Sequence, residues 1–455
     1  MAQKRSENLT DGSIKVHLGR AKRLAENAKE AAKNAQRTAK VKARRIARTA
    51  RTEAKEKARF GRTAARKAKK QTGKQISLTQ YYSRMAVIFA VILGVLVVFN
   101  FLSKDTDFSA EENRVMATRP DLTSSSFFEG RFSPEYETYV NDQFPARNMW
   151  IRIKTTADVL TGKVESNGVY KGHQGYLMEK FTDPGKKKTK KTAGIFTEFR
   201  KKHRDLDTYL FAVPTSVNIL SDLLPANTDD GGQNEFLDRL FEQTEAGGIK
   251  TIDVRKQFRK LAKEKQIYYH SDHHWTSTGA YHGFLAAADV MGLEVDKKNY
   301  KPSVVKDDFK GMLASKSGFY MCKKDDIEVY FPTKNIPVSI ITYVDDQKKS
   351  ASFYKAANLE EKDAYTVFTG GNHSLIKIKS AAENEDKLLI IKDSYANCFI
   401  PFIAPYYRNV VVVDPRYYFG DLDKLIKSED ITDVLFLYNA STLSTDSALK
   451  TMLAY

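Results

Sequence analysis

Asp272-His273-His274-Trp275 places a carboxylate and an imidazole two residues apart, between Ser271 and Thr276. At that spacing Asp272 can orient His274, which supplies two of the three groups of a Ser-His-Asp relay. The candidate nucleophile is Ser394, about 120 residues later, at the end of Leu388-Leu389-Ile390-Ile391-Lys392-Asp393-Ser394-Tyr395. It falls where an apolar run stops and a helical run begins. In an open α/β sheet that is the carboxyl edge, where ligands bind. Backbone N–H groups at a helix start can also stabilise an oxyanion. Ser394 taken alone reads sooner as a helix cap. Asp272 and His274 change that balance, because a carboxylate, two imidazoles and an indole are costly in a mere turn.

Metal binding is the competing chemistry. His270, Asp272, His273, His274 and His282 are zinc-type donors. Four of the five crowd into five positions, and no helical His-x3-His pair accompanies them. No metal or other cofactor is therefore expected. His273 is assigned to structure, with its ring directed away from Ser394. Two further residues are expected at the same sheet edge: Asn439 after Val434–Tyr438, and Arg416 after Val410–Val413. An amide there suits an oxyanion and a guanidinium suits a carboxylate or a polar sugar, although either could simply cap a strand end. Asn372, in Gly370-Gly371-Asn372-His373, can enter the cleft from a glycine turn. Trp275 and Tyr395 are candidate sugar-binding aromatics.

These residues need a scaffold. From about residue 190 short apolar runs alternate with amphipathic ones. Strands are predicted over 207–213, 250–254, 387–392, 410–413 and 434–438, with a strand-like run over 266–269. Helices are predicted over 193–203, 235–244, 255–265, 276–291, 395–404, 422–427 and 444–453. That alternation implies an α/β domain over 161–455, with a mainly parallel sheet covered by helices on both faces. Residues 325–370 read as an inserted antiparallel β piece, and Gly168–Met178 as a hairpin. Residues 104–160 read as a connector of short helices.

Charge divides the chain further. The 455 residues carry a formal net charge of +18, and residues 1–80 hold 24 Lys plus Arg against 6 Asp plus Glu. The excess is therefore confined to the tail, and the remainder is electroneutral. The tail is rich in Ala, Lys, Arg and Thr and nearly free of large apolar residues, so it has no face to bury and is expected to be disordered. Its expected partner is the anionic lipid of a cytoplasmic leaflet, with nucleic acid the less favoured polyanion. Met85–Leu102 is an uncharged 18-residue run, and residues 81–103 read as an uncleaved transmembrane signal anchor. Positive charge before it and Asp105, Asp107, Glu111 and Glu112 after it imply a single-pass cell-membrane protein, with its N-terminus cytoplasmic and residues 103–455 extracellular. Two cysteines, Cys322 and Cys398, are too few for a disulfide framework. They could form one bridge, but Cys398 lies one helical turn beyond Ser394 and reads as a buried thiol.

Taken in order, Asp272-His273-His274-Trp275, Gly370-Gly371-Asn372-His373, Lys392-Asp393-Ser394-Tyr395 and Asp414-Pro415-Arg416-Tyr417 resemble the DHHW family of bacterial envelope proteins. That family is similar to the SGNH-hydrolase-like domains of the alginate O-acetylation proteins. The resemblance covers roughly residues 105–455. It implies an SGNH-like fold with Ser394 as nucleophile, His274 as general base, Asp272 as its orienter and Asn439 at the oxyanion position. Lys392 stands where the family of SGNH esterases has glycine in Gly-Asp-Ser. The function implied is O-acetylation of a cell-envelope polysaccharide through an acetyl-serine, with acetyl supplied through a polytopic membrane O-acyltransferase. An acetylesterase using the same residues, or a non-catalytic glycan-binding or assembly protein, would share the sequence features.

Overall fold

The computed structural model describes residues 55, 78–109, 114–297, 299–319, 321–334 and 337–453. The expected basic tail lies almost wholly outside the described residues. By internal contacts the chain divides after Val97 into two units.

The first unit holds most of the helix Leu78–Leu102, whose segment Leu78–Asn100 is long and apolar enough to cross a membrane. The apolar run forms a helix because nothing in it interrupts the backbone ladder. Tyr81, Tyr82 and Arg84 extend it by a further turn beyond the uncharged stretch. Its side chains are exposed almost throughout, as suits a segment solvated by lipid.

The second unit opens with β1 (Phe108–Ser109) and β2 (Arg114–Val115), then the helices Ser124–Phe128, Phe132–Asp142 and Arg147–Leu160. The three-stranded sheet of β3 (Glu165–Ser166), β4 (Val169–Lys171) and β5 (Leu177–Glu179) follows. The expected hairpin is thus present, with β4 and β5 paired antiparallel across a short turn at His173–Gly175.

The main sheet has eight strands. β6 (Asp207–Val213) and β7 (Lys250–Thr251) come first. The antiparallel hairpin β8 (Tyr300–Phe309) and β9 (Asp325–Pro332) stands apart from it. β10 (Ser339–Tyr343), β11 (Lys348–Ser350), β12 (Leu375–Ser380), β13 (Lys387–Lys392), β14 (Asn409–Val413) and β15 (Asp433–Asn439) complete it. The spatial order is β11-β10-β12-β14-β13-β15-β6-β7. From β14 to β7 every pairing is parallel, whereas β12, β10 and β11 are added antiparallel at one edge. The fold is therefore the expected α/β architecture, but the antiparallel piece is not a single insertion. Part of it is the separate β8–β9 hairpin, and part extends the main sheet.

The central strands are unbroken apolar runs because both faces are covered. Leu388–Ile391 in β13, Val434–Leu437 in β15 and Leu210–Val213 in β6 are buried along their whole length. Three local expectations differ from the structure. The run 266–269 makes only an isolated bridge between Tyr268 and Trp275. Ser394 is followed by a 3-10 helix over Ser394–Cys398 and a short α-helix over Ile400–Ile403, with Pro401 in its first turn. The C-terminal helix is divided into Ala440–Thr445 and Ala448–Leu453.

Helix Ser277–Met291 starts from Thr276, whose side chain accepts from the Gly279 N–H. It packs so closely on the Trp275 ring that a Cβ at Gly283 would stand 2.8 Å from Trp275 and 3.2 Å from Phe211. Gly283→Ala should therefore destabilise the domain by about 1–3 kcal/mol through overpacking. Urea unfolding of the two proteins measures this, and an unchanged midpoint would contradict the packing.

Candidate active site

Asp272 and His274 are brought together by local chemistry. One Asp272 oxygen, Oδ1, accepts from the His274 backbone N–H at 2.9 Å and pairs with His274 Nδ1 at 2.6 Å. The first contact is the i to i+2 bond of an Asx turn, which a spacing of two residues allows. The other oxygen, Oδ2, accepts from the Met312 N–H at 2.9 Å. Gly311 lies against the same carboxylate, and a Cβ there would come within 2.2 Å of the Asp272 Cβ. Only glycine lets the 310–312 segment approach this closely.

A second buried carboxylate holds the turn from below. Asp325, at the start of β9, accepts from the N–H groups of His270 and Ser271, from Ser271 Oγ and from Gln266 Nε2, and pairs with His270 Nδ1. Ser271 Oγ in turn accepts from the Gly311 N–H. Trp275 anchors the far side, because its Nε1 donates to the Tyr395 carbonyl at 2.9 Å. The Tyr395 hydroxyl returns a bond to the His273 carbonyl.

Ser394 completes the line. His274 Nε2 lies 2.8 Å from Ser394 Oγ. Ser394 is partly exposed while Asp272 and His274 are buried, so a ligand reaches the hydroxyl and not the pair behind it. The serine is the first residue of its 3-10 helix, where the N–H has no partner inside the helix. Asp393 fixes this start by accepting from the Tyr395 N–H and from both the N–H and Nδ2 of Asn439. Burial pushes the Asp393 carboxyl up to about 6, against these donors.

Lys392 explains how the chain departs from Gly-Asp-Ser. It is the last residue of β13 and is fully buried, pointing under the site. Its Nζ donates to Asn372 Oδ1 at 3.0 Å, to Asn397 Oδ1 at 2.8 Å and to Asp414 Oδ2 at 3.2 Å. Asn397 Nδ2 adds a bond to the same Asn372 oxygen at 3.1 Å. A buried ammonium is costly unless satisfied, and here three oxygens satisfy it. Asn372 is exposed, with its oxygen held twice. The loop that presents it needs glycine, since Thr369, Gly370 and Gly371 all have positive φ.

The expected site residues divide into two sets. Ser394, His274 and Asp272 come together, and Asn372 is tied to Lys392 and Asn397. Arg416 stands nearby, gripped through Nε and Nη2 by Asp414 at 2.9 and 2.6 Å, and its charge acts on His274. Asn439 does not face the cleft. Its Nδ2 is engaged by Asp393 at 2.6 Å and Thr442 Oγ1 at 2.7 Å, and its Oδ1 caps the following helix. Trp275 and Tyr395 are wholly buried and offer no surface to a sugar. Their rings face Phe211, Phe258 and Phe399 around the indole, so they support the turn from within.

The His273 ring lies over His274 at 3.9 Å, partly exposed, with Nδ1 3.7 Å from Asp272 Oδ1. Asp272, His273 and His274 could present donor atoms within 4.8 Å of one another. However, both His274 nitrogens are engaged within the Asp-His-Ser line. Cys398 is a free buried thiol, pushed up to about 12 by burial, and Cys322 is also free.

The residue that sequence reasoning missed is Tyr365. Its ring stacks on His274 at 3.7 Å and 11°. Its hydroxyl donates to the Ser394 carbonyl at 3.2 Å and contacts Cys398 Sγ. It lies in an irregular segment with no periodicity to single it out. Asp325 was missed for a similar reason, since it lies more than 50 residues from the turn it organises.

Residues 176–338 match the family described as the SGNH hydrolase-like domain of the acetyltransferase AlgX. The fold is SGNH hydrolase-like. The matched segment contains Asp272 and His274 and ends before Ser394. A DHHW family protein from Eubacterium siraeum is similar at 24% identity and a TM-score of 0.52, over 63% of this chain and 96% of that one. PatB1 from Bacillus cereus is similar at 20% identity and a TM-score of 0.53, over 60% of this chain and 97% of its own. PatB1 carrying a sulfonyl adduct gives a TM-score of 0.52 over the same shares. No curated protein matches the chain.

The electrostatics of the Asp272–His274–Ser394 site set a pH signature. Burial, with the His273 imidazole alongside, pushes His274 down to about 4 although Asp272 pulls it upward. Burial acts to raise Asp272, but the two imidazoles and the Met312 N–H outweigh it and hold the carboxyl well below the usual range. A histidine that accepts a proton must be neutral, so reactivity is present above its pKa and lost as pH falls through it. The rate of Ser394 labelling by a sulfonyl fluoride should hold down to about pH 5 and fall with a midpoint near 4. A midpoint at the ordinary 6.5 would contradict the buried, neutral imidazole.

Proposed function

We propose that this protein is a membrane-anchored, extracytoplasmic O-acetyltransferase acting on a cell-envelope polysaccharide through an acetyl-serine intermediate. The observation that carries the reading is the unbroken line from Asp272 through His274 to the accessible Ser394 hydroxyl, at 2.6 and 2.8 Å. The match to an acetyltransferase domain family supports the reaction class. Ser394 Oγ attacks the donor acetyl carbonyl while His274 Nε2 takes its proton. Asp272 holds the imidazole in the tautomer with hydrogen on Nδ1 and stabilises the imidazolium. The Ser394 N–H and the Asn372 amide, fixed by Lys392, are the proposed oxyanion donors. They stand in for Asn439, whose amide is already engaged. His274 returns its proton to the leaving group. A sugar hydroxyl, deprotonated by His274, then attacks the acetyl-enzyme and regenerates Ser394.

The helix Leu78–Leu102 serves as the single-pass anchor in this reading, with residues 103–455 extracellular. A polytopic membrane O-acyltransferase supplies acetyl, and the basic tail binds anionic lipid at the cytoplasmic leaflet. The same residues would make an acetylesterase if water replaced the sugar hydroxyl.

Two measurements test this proposal. Full-length protein in detergent is given a small activated acetyl ester, and the trapped protein is analysed by peptide mass. Acetyl on Ser394 is expected, and should be absent in Ser394→Ala. No acyl-enzyme in either protein would favour a non-catalytic glycan-binding role, and acetate release without transfer to envelope glycan would favour the esterase. In intact cells, externally added protease should digest the 105–455 domain and spare the tail. The reverse result would invert the topology.

A further inference from the structure

The helix Arg147–Leu160 meets the rest of its unit along one line of side chains. Val159 packs on the cluster of Val169, Leu177, Leu313, Ala314 and Phe319, and Thr155 Oγ1 donates to the Ser317 carbonyl at 3.4 Å. Ile151 and Thr155 lie against Gly318, where a Cβ would stand 2.7 Å from each. Ile151, Thr155 and Val159 recur every four residues, so they occupy one face. The opposite face should then be polar, and it is not. Leu160 is 83% exposed and Ile153 53%, and Met149, Trp150 and Ala157 are exposed beside them. At 3.6 residues per turn these five fall within an arc of about 100°, turned away from the packed face.

Chain connectivity limits what can cover that stripe. Thr106 follows Leu102, the last residue of the membrane-length helix, by four residues, a span of at most about 14 Å. Thr106 is fixed to Gln143: its N–H donates to Gln143 Oε1 at 2.9 Å, and its carbonyl accepts from Gln143 Nε2 at 3.0 Å. The Tyr139 hydroxyl donates to Asp105 Oδ2 at 3.0 Å. Gln143 in turn stands four residues before Arg147. The stripe therefore starts within roughly 30 Å of the end of the membrane-length helix and runs along a helix about 21 Å long. Charge agrees with a lipid surface. The helix carries Arg147, Arg152 and Lys154 against one acid, Asp158, which pairs with Lys154 and Lys163 at 3.1 and 3.3 Å. By helical rotation Arg152 and Lys154 flank the stripe on its two sides. An apolar stripe with a tryptophan and basic flanks is the pattern of a helix lying in a membrane interface.

We propose that the helix Arg147–Leu160 is a second membrane attachment, lying in the interface of the lipid bilayer. Met149, Ile153 and Leu160 enter the boundary between headgroups and acyl chains, Trp150 lies at headgroup level, and Arg152 and Lys154 meet the lipid phosphates. The proposal rests on the reading of Leu78–Leu102 as a membrane anchor and adds an attachment on the other side of the connection. A single tether leaves a domain to tumble at the surface. A second attachment covers apolar side chains that water otherwise surrounds, and fixes which side of the domain faces the bilayer. Four apolar side chains and an alanine hold lipid only weakly and reversibly by themselves. The anchor makes their contact effective by keeping them at a high local concentration of lipid.

Trp150 reports on this contact, because the chain has two tryptophans and the other, Trp275, is wholly buried. Full-length protein is reconstituted into vesicles of phosphatidylcholine and phosphatidylglycerol whose acyl chains carry bromine either close to the headgroup or close to the chain end. The Trp150 emission is the difference between the wild type and Trp150→Phe. Bromine close to the headgroup should quench it at least about twofold, and bromine at the chain end less. The variant I153E/L160E should lose most of that quenching, with sulfonyl labelling of Ser394 and the urea midpoint in detergent unchanged. No quenching of Trp150 by either lipid, or equal quenching in I153E/L160E, would overturn the proposal. So would shielding of Trp150 that appears only at a high protein-to-lipid ratio, as a second copy would give. Retention of the protein by vesicles in alkaline carbonate tests the anchor separately. Retained protein with unquenched Trp150 overturns the interfacial helix alone, and release of protein whose Trp150 had been quenched overturns the anchor alone.

Discussion

The Asp272 carboxylate is the constraint from which the site is built. It is buried and has to remain charged, which is costly unless its oxygens are fully engaged. The engagement comes from three directions: the backbone and ring of His274, the Met312 N–H, and the imidazole of His273. Of these, the Met312 N–H fixes a separate segment against the turn, and the two histidines belong to the turn itself. His274 is thereby aimed at Ser394, the 310–312 segment is held at glycine distance, and the rim of the site is defined. Asp325 repeats the device one layer down, where a single carboxylate gathers the N–H groups of His270 and Ser271. The turn is thus held by two buried anions and not by regular secondary structure, which is why no strand forms at 266–269.

The serine arrives from the opposite side by a different route. β13, central in the sheet, ends at Lys392, and the next two residues begin a 3-10 helix. In SGNH esterases a glycine stands where Lys392 does. This chain turns the side chain inward and uses the ammonium to tie together Asn372, Asn397 and Asp414. Asp414 also grips Arg416. A substitution that first looks like a loss of backbone freedom thus links two loops and a helix start behind the nucleophile. The same network fixes the Asn372 amide.

Charge is organised at three separate levels. The tail carries the net charge of the whole chain, the domain as a whole is balanced, and within the domain the lysines of one helix end have no ion-pair partner among the described residues. Buried charges in the site are individually satisfied. The aromatic residues divide in the same way. Trp275 and Tyr395 serve the interior, and Phe419 is left to solvent.

Much of this was legible in the chain. The apolar runs 207–213 and 387–392 are strands with those same bounds, because continuous apolar sequence is what a strand covered on both faces requires. The Asp-x-His spacing determines the first bond of the site by itself, since an Asx turn needs only two residues. Ser394 could be found because it ends such a strand. The fate of polar side chains could not be read this way. Asn439 and Asn372 both follow sequence signals for a sheet-edge amide, yet one is consumed by Asp393 and Thr442 and the other stays exposed with its oxygen held by Lys392 and Asn397. Trp275 and Tyr395 look like cleft aromatics beside catalytic residues, yet their neighbours come from distant strands and bury them. Tyr365 and Asp325 have no local signal at all. The sequence by itself determined the strands, the membrane-length helix, the charge division and the Asp272–His274 pair, because each depends on neighbours within a few residues. Only the tertiary structure decided which amide is consumed by its neighbours, which aromatic rings reach solvent and what lies flat on His274, because those depend on partners tens to hundreds of residues away.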